Sequence, residues 1–129
     1  MAYDSRRGSI VMFGGWERLA DTWEHDGKLW REIQVNGARP SMRNGHSMAY
    51  DSRRGVTVLY AGFLNNNRFD DMWEWDGAAW TQVDMQGSPD QNGAIVYDEA
   101  RDVLVFFGRA EGKPRIGPHG NGTVLDGFT

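Results

Sequence analysis

The stretch MAYDSRRGSIVMFGG, residues 1–15, returns as MAYDSRRGVTVLYAG at residues 48–62, and a weaker copy, IVYDEARDVLVFFGR, occupies residues 95–109. Tyr3, Tyr50 and Tyr97 follow one another at 47 residues, as do Asp4, Asp51 and Asp98. A second block, DTWEHDGKLW at residues 21–30, returns as DMWEWDGAAW at residues 71–80. Asp26-Gly27 and Asp76-Gly77 lie 50 apart, and the same step lands on Asp126-Gly127. The two spacings differ because the segment after Gly62 is three residues longer than the one after Gly15. Self-similarity at a fixed period of this size marks an architecture of stacked units and takes precedence over local signals.

Each unit reads as four short strands. In the second unit the first strand runs around residues 47–50 and closes on the DSRRG turn, where Gly55 supplies the positive φ that other residues resist. Residues 56–60, Val-Thr-Val-Leu-Tyr, are β-branched and apolar at successive positions, which predicts a strand buried on both faces. The third and fourth strands flank Asp76-Gly77, a dipeptide suited to a type I′ hairpin turn. No stretch sustains a helical period. The expected fold is therefore all-β, a segment of about two to three four-stranded antiparallel blades covering residues 1–36, 43–86 and 91–129, the third incomplete. The next tryptophan of the series would fall at position 130, and the RNGHS before the second MAYD has no counterpart before Met1, so the expectation is a run of units cut within a larger array.

Sheets with two apolar faces must stack on one another, and radial stacking of four-stranded sheets is the β-propeller solution. On these residues the chain resembles the kelch family of β-propellers, in particular its bacterial members. The likeness rests on the doublet Gly14-Gly15, the pairs Trp23/Trp30 and Trp73/Trp80, and Arg43-Asn44-Gly45-His46-Ser47 ahead of a strand. It departs where the doublet becomes Ala61-Gly62 and then Gly108-Arg109, where Gln91-Asn92-Gly93-Ala94 replaces the arginine and histidine, and where Val124 stands near the place of an aromatic. A chain of 129 residues holds about 2.7 periods of 47, fewer than the roughly four to eight blades of a closed ring. Two outer sheet faces would stay open, to be covered by further blades of the same chain or by a homo-oligomer.

Composition removes several classes of function. With 14 Lys+Arg against 18 Asp+Glu the net charge is −4, the wrong sign for a phosphate-backbone binder, so no nucleic-acid partner is expected. The longest apolar runs, residues 10–13 and 103–107, fall far short of the roughly 20 residues a membrane helix needs, and no membrane partner is expected. The residues after Met1 carry no apolar core of a secretory signal. The chain has no Cys, which excludes thiolate chemistry and disulfides. Galactose oxidase shares the kelch-type propeller, but the copper site that resemblance implies needs a tyrosine crosslinked to cysteine. The Asp-boxes of sialidases separate aspartate from glycine by one residue, whereas here the two are adjacent. His25, His46 and His119 show neither an HxH nor an HExxH spacing, so no metal and no other cofactor is expected.

In a four-stranded meander the connection between strands two and three and the connection to the next unit emerge on one rim, opposite the DSRRG and Asp-Gly turns. The first set varies between units: residues 16–20, 63–69 and 110–122, with 36–43 and 86–92 between units. Variable loops on a rigid frame are the usual place for binding. The candidate binding residues are Trp16, Arg18, Asn65, Asn66, Asn67, Arg68, Lys113, Arg115 and His119, with no catalytic residue among them. Trp23, Trp30, Trp73 and Trp80 repeat with the unit and are read as inter-unit contacts, Trp75 as structural, and Trp16 as the tryptophan free for ligand. Arg6-Arg7 and Arg53-Arg54 are read as solvated turn residues, and Asp4, Asp51 and Asp98 as turn-forming carboxylates. The function these readings favour is a non-enzymatic scaffold that recognises a protein or carbohydrate through one rim. The alternative is a fragment of a propeller enzyme, galactose oxidase-like or sialidase-like, whose active residues lie outside this segment.

Overall fold

The computed structural model describes residues 1–17, 19–84, 93–108 and 114–118. Within them the regular structure is all strand. The first unit is the antiparallel meander β1 (Ala2–Asp4), β2 (Ser9–Gly15), β3 (Leu19–His25) and β4 (Trp30–Ile33), hydrogen-bonded in that order. The second repeats it with β5 (Ser47–Asp51), β6 (Val56–Tyr60), β9 (Met72–Trp75) and β10 (Trp80–Val83). Between β6 and β9 it carries a small hairpin, β7 (Phe63–Leu64) paired with β8 (Asn67–Arg68). The third has β11 (Gly93–Asp98), β12 (Val103–Gly108) and β13 (Pro114–Pro118). Residues 86–92, Val124 and Asp126-Gly127 lie outside the described residues.

The repeated turns close by the same chemistry. Asp4 Oδ1 accepts from the backbone N–H of Arg6 and of Arg7, both at 3.0 Å, and Asp51 Oδ1 accepts identically from Arg53 and Arg54. Gly8 at φ 68° and Gly55 at φ 70° end these turns by donating back to the aspartate carbonyl. In the third copy Asp102 takes the same left-handed conformation at φ 54°.

The Asp-Gly connection departs from the expected two-residue turn. His25 pairs with Trp30 and Trp75 with Trp80, which leaves four residues in each loop. The carboxylate of Asp26 caps the amides of Lys28 and Leu29, and Asp76 those of Ala78 and Ala79. Only the glycine has positive φ, 97° at Gly27 and 99° at Gly77, so the turn is an aspartate-capped loop rather than type I′.

Stacking explains why β6 carries apolar side chains on both of its faces. Leu59 points into a cluster with Val11, Phe13, Trp73, Trp75 and Trp80, between the first and second units. Val58 and Tyr60 point the other way, to Ala49, Met72, Ile95, Leu104 and Phe106, between the second and third. Val58 and Leu59 are fully enclosed and Tyr60 nearly so, and burial of such side chains contributes about 1.5–3 kcal/mol each. Rings set the spacing: Phe13 meets Trp80 edge-on at 5.5 Å, and Tyr60 meets Phe106 at 5.1 Å.

Polar bonds fix the register between units. The indole N–H of Trp75 donates to Glu24 at 2.9 Å, and that of Trp80 to Thr22 Oγ1 at 2.9 Å. The backbone N–H of Ile95 donates to Ser47 Oγ at 2.9 Å. The paired arginines, expected to be merely solvated, do two different jobs. Arg7 and Arg54 form two-pronged ion pairs with Glu24 and Glu74 on the third strand of their own unit. Arg6 reaches the carbonyls of Ser52 and Arg53 in the next unit, and Arg53 in turn pairs with Asp102.

The four repeating tryptophans are not equivalent. Trp80 is 4% exposed between units, whereas its counterpart Trp30 is 43% exposed on the outer face of the first. Tyr3 shares that outer face in sequence register with Trp30 and is also exposed. Trp80→Ala is expected to destabilise the chain by about 3–5 kcal/mol in urea unfolding and Trp30→Ala by about 1 kcal/mol or less, although the two sites match in the repeat. Equal losses would contradict the stacking.

Candidate functional site

The rim opposite the DSRRG turns is built from the β2–β3 connection, the segment leading into β5, and the β7–β8 hairpin. Backbone bonds tie the three together. Gly15 N–H donates to the Arg43 carbonyl, and Asn44 and Phe63 exchange a reciprocal pair at 2.9 and 2.8 Å. Glycine is required where these segments touch. A Cβ on Gly14, at φ 54°, would lie 2.7 Å from the Leu19 carbonyl and 3.0 Å from that of Arg43. One on Gly62 would lie 2.9 Å from the Asn44 carbonyl. This is the physical content of the Gly14-Gly15 and Ala61-Gly62 doublets. Ala61 holds its left-handed φ of 61° as a non-glycine residue, an uncommon conformation for a side-chain-bearing position.

Beneath this rim sits a buried cation. Arg43 is fully enclosed, and its guanidinium contacts both carboxylate oxygens of Asp71 at 2.5 and 2.9 Å. It also donates to the Ala61 carbonyl at 3.0 Å and to Ser41, and it lies 4.1 Å from the centre of the Phe69 ring. Burial opposes ionisation of Asp71, but hydrogen bonds from Arg43 and from the Trp73 indole outweigh it and hold the carboxyl below the usual range. The adjacent Asp70 is exposed, so the two neighbouring aspartates have separate environments. His46, three residues after Arg43, is pushed down to about 4 by burial and by the positive charges of the amino terminus and Arg43, and is neutral near pH 7. Its ring meets Phe13 edge-on at 5.7 Å.

Over this frame the candidate contact residues stand outward. Trp16 is 86% exposed just after β2. Asn65, Asn66, Asn67 and Arg68 are all exposed on the β7–β8 hairpin, with Asn65 at φ 55° in its turn. Residues 63–69, expected as a plain loop, are thus a two-stranded projection anchored through Phe63. Arg115 was expected in a loop as well, but it lies on β13, opposite Phe106 on β12. Pro114 and Pro118 stand at the two ends of β13, where a missing backbone donor disturbs the ladder least. Arg18, Lys113 and His119 lie outside the described residues. Among the described residues no group of three or more His, Asp or Glu side chains is placed to share a metal ion.

The sequence named Arg43 only as part of a motif. The signal for its role was present in the spacing, because Asp21 and Asp71 recur at 50 residues, each two positions before a tryptophan. Comparison with protein-family models and with curated proteins returns no match.

Arg43→Met is expected to lower stability by about 2–4 kcal/mol in urea unfolding, because it leaves the half-buried Asp71 without its counter-charge and removes the enclosed guanidinium's hydrogen bonds. Arg68→Ala, on the exposed hairpin, is expected to stay within about 0.5 kcal/mol of the parent. A large loss at Arg68 would place the hairpin in the core and remove it from a contact surface.

Proposed function

We propose that the chain is a run of kelch-like propeller blades that acts as a non-enzymatic binding scaffold, engaging a protein or carbohydrate through the rim that carries Trp16 and the β7–β8 hairpin. Under this reading the outer sheet faces are covered by further blades or by another copy. The observation that carries it is the contrast between the rims. On the DSRRG side the arginines are engaged in ion pairs and inter-unit bonds. On the other side a tryptophan stands 86% exposed and three exposed asparagines and an exposed arginine sit on a hairpin tied at its base to Asn44.

A large flat aromatic beside amide and guanidinium donors offers what ring stacking and hydroxyl recognition both require. The same combination suits a protein partner, since Trp and Arg are favoured anchors of interfaces. Asparagine amides provide donor and acceptor together, which matches the alternating needs of vicinal hydroxyls.

Neutral oligosaccharides titrated against the protein are expected to quench or shift Trp16 fluorescence saturably, and Trp16→Ala to weaken binding by about tenfold or more while leaving urea unfolding unchanged. If neither glycans nor candidate protein partners respond to Trp16→Ala or to Arg68→Ala, this rim is not the binding face.

A further inference from the structure

We infer that Asp21 and Leu19 form an arginine receptor in the first unit, which takes the guanidinium of an extended segment of the Arg-Asn-Gly-His kind. This does not depend on what the loop rim binds. Asp21 occupies the position of Asp71, and both aspartates accept from the indole of the tryptophan two residues on, at 2.5 Å from Trp23 and 2.7 Å from Trp73. They differ at the other oxygen. Asp71 Oδ1 receives Arg43, whereas Asp21 Oδ1 is shut off from solvent and has no hydrogen-bond partner among the described residues. A carboxylate oxygen in that condition is a costly feature unless a charged donor reaches it.

The surroundings of the second-unit site are repeated too. Phe69, two residues before Asp71, supplies the ring beside the Arg43 guanidinium. Leu19 stands two residues before Asp21 on β3, at the counterpart of Phe69, and is 41% exposed, so an aliphatic side chain replaces the ring there. Gly14, counterpart of Ala61, adopts a matching left-handed φ of 54° against 61°, so the backbone that offers Arg43 a carbonyl is reproduced. In the second unit the arginine arrives on the strand-like segment four residues ahead of β5. The chemistry that fits Asp21 is therefore a planar, two-pronged cation on an extended peptide, and lysine, a single point charge, fits it poorly.

The test adds to the intact protein a synthetic peptide with the sequence of residues 38–47, ARPSMRNGHS, and follows the Trp23 indole N–H resonance, which reports on the shared carboxylate. A saturable shift of Trp23, with Trp73 unmoved, is expected. Affinity should fall by roughly tenfold or more when the second of the peptide's two arginines, the one corresponding to Arg43, is changed to glutamine, and likewise for the Asp21→Asn protein, whereas changing the arginine corresponding to Arg39 should leave it within about twofold. The peptide variant leaves the protein untouched, so the result stands even if Asp21→Asn folds poorly. A Trp23 resonance that ignores the peptide, or binding that is indifferent to the arginine corresponding to Arg43, overturns the inference.

Discussion

Everything in this chain follows from a sheet whose two faces are both apolar. β6 cannot be hidden by its own meander, because Leu59 leaves on one side while Val58 and Tyr60 leave on the other. Neighbouring units must therefore stand against both faces, and the tryptophans, the inter-unit indole bonds and the ring contacts are consequences of that demand. The same rule applied at the ends leaves Tyr3 and Trp30 exposed on one outer face and Val96 on the other. Apolar sheet faces of this kind are surfaces of association.

Stacking also divides the rims. On one, short turns recur because Asp4 and Asp51 each close a turn on two backbone amides, and the arginines are committed to carboxylates or backbone carbonyls within and between units. That rim has little freedom to change. On the other, Arg43 and Asp71 bind the incoming segment to the second unit from below, and Gly14 and Gly62 let backbones touch. The hairpin joins that support through Phe63 at its base, while Arg68 and Trp16 stand exposed above it. The scaffold proposal rests on this separation between exposed rim residues and the frame beneath them.

Much of the fold was legible in the residues. The repeat and the lack of a helical period gave an all-β chain of recurring antiparallel strands, and apolar residues at 56–60 gave a strand buried on both sides. The DSRRG turn is closed by Asp51 as its composition implied. What escaped depended on partners distant in sequence. Strand register stretched the Asp-Gly turn to four loop residues. Proline and glycine in residues 114–118 read as loop, yet a strand with its prolines at the two ends accommodates them. Trp30 and Trp80 look alike in the repeat and differ because only one has a neighbour on its face. The paired arginines read as solvated because the glutamates that hold them lie on another strand. At the candidate site, exposure of Trp16 and Arg68 was readable from loop placement, whereas the Arg43–Asp71 pair, 28 residues apart, needed the folded geometry.

Hydrogen exchange at the indole nitrogens tests the stacking most directly. The account requires the Trp75 and Trp80 indole protons, bonded across to Glu24 and Thr22 of the neighbouring unit, to exchange only on global unfolding, while that of Trp16 exchanges freely. Indole protons of Trp75 and Trp80 that exchange as fast as that of Trp16 would mean that the sheets do not stand against one another in solution.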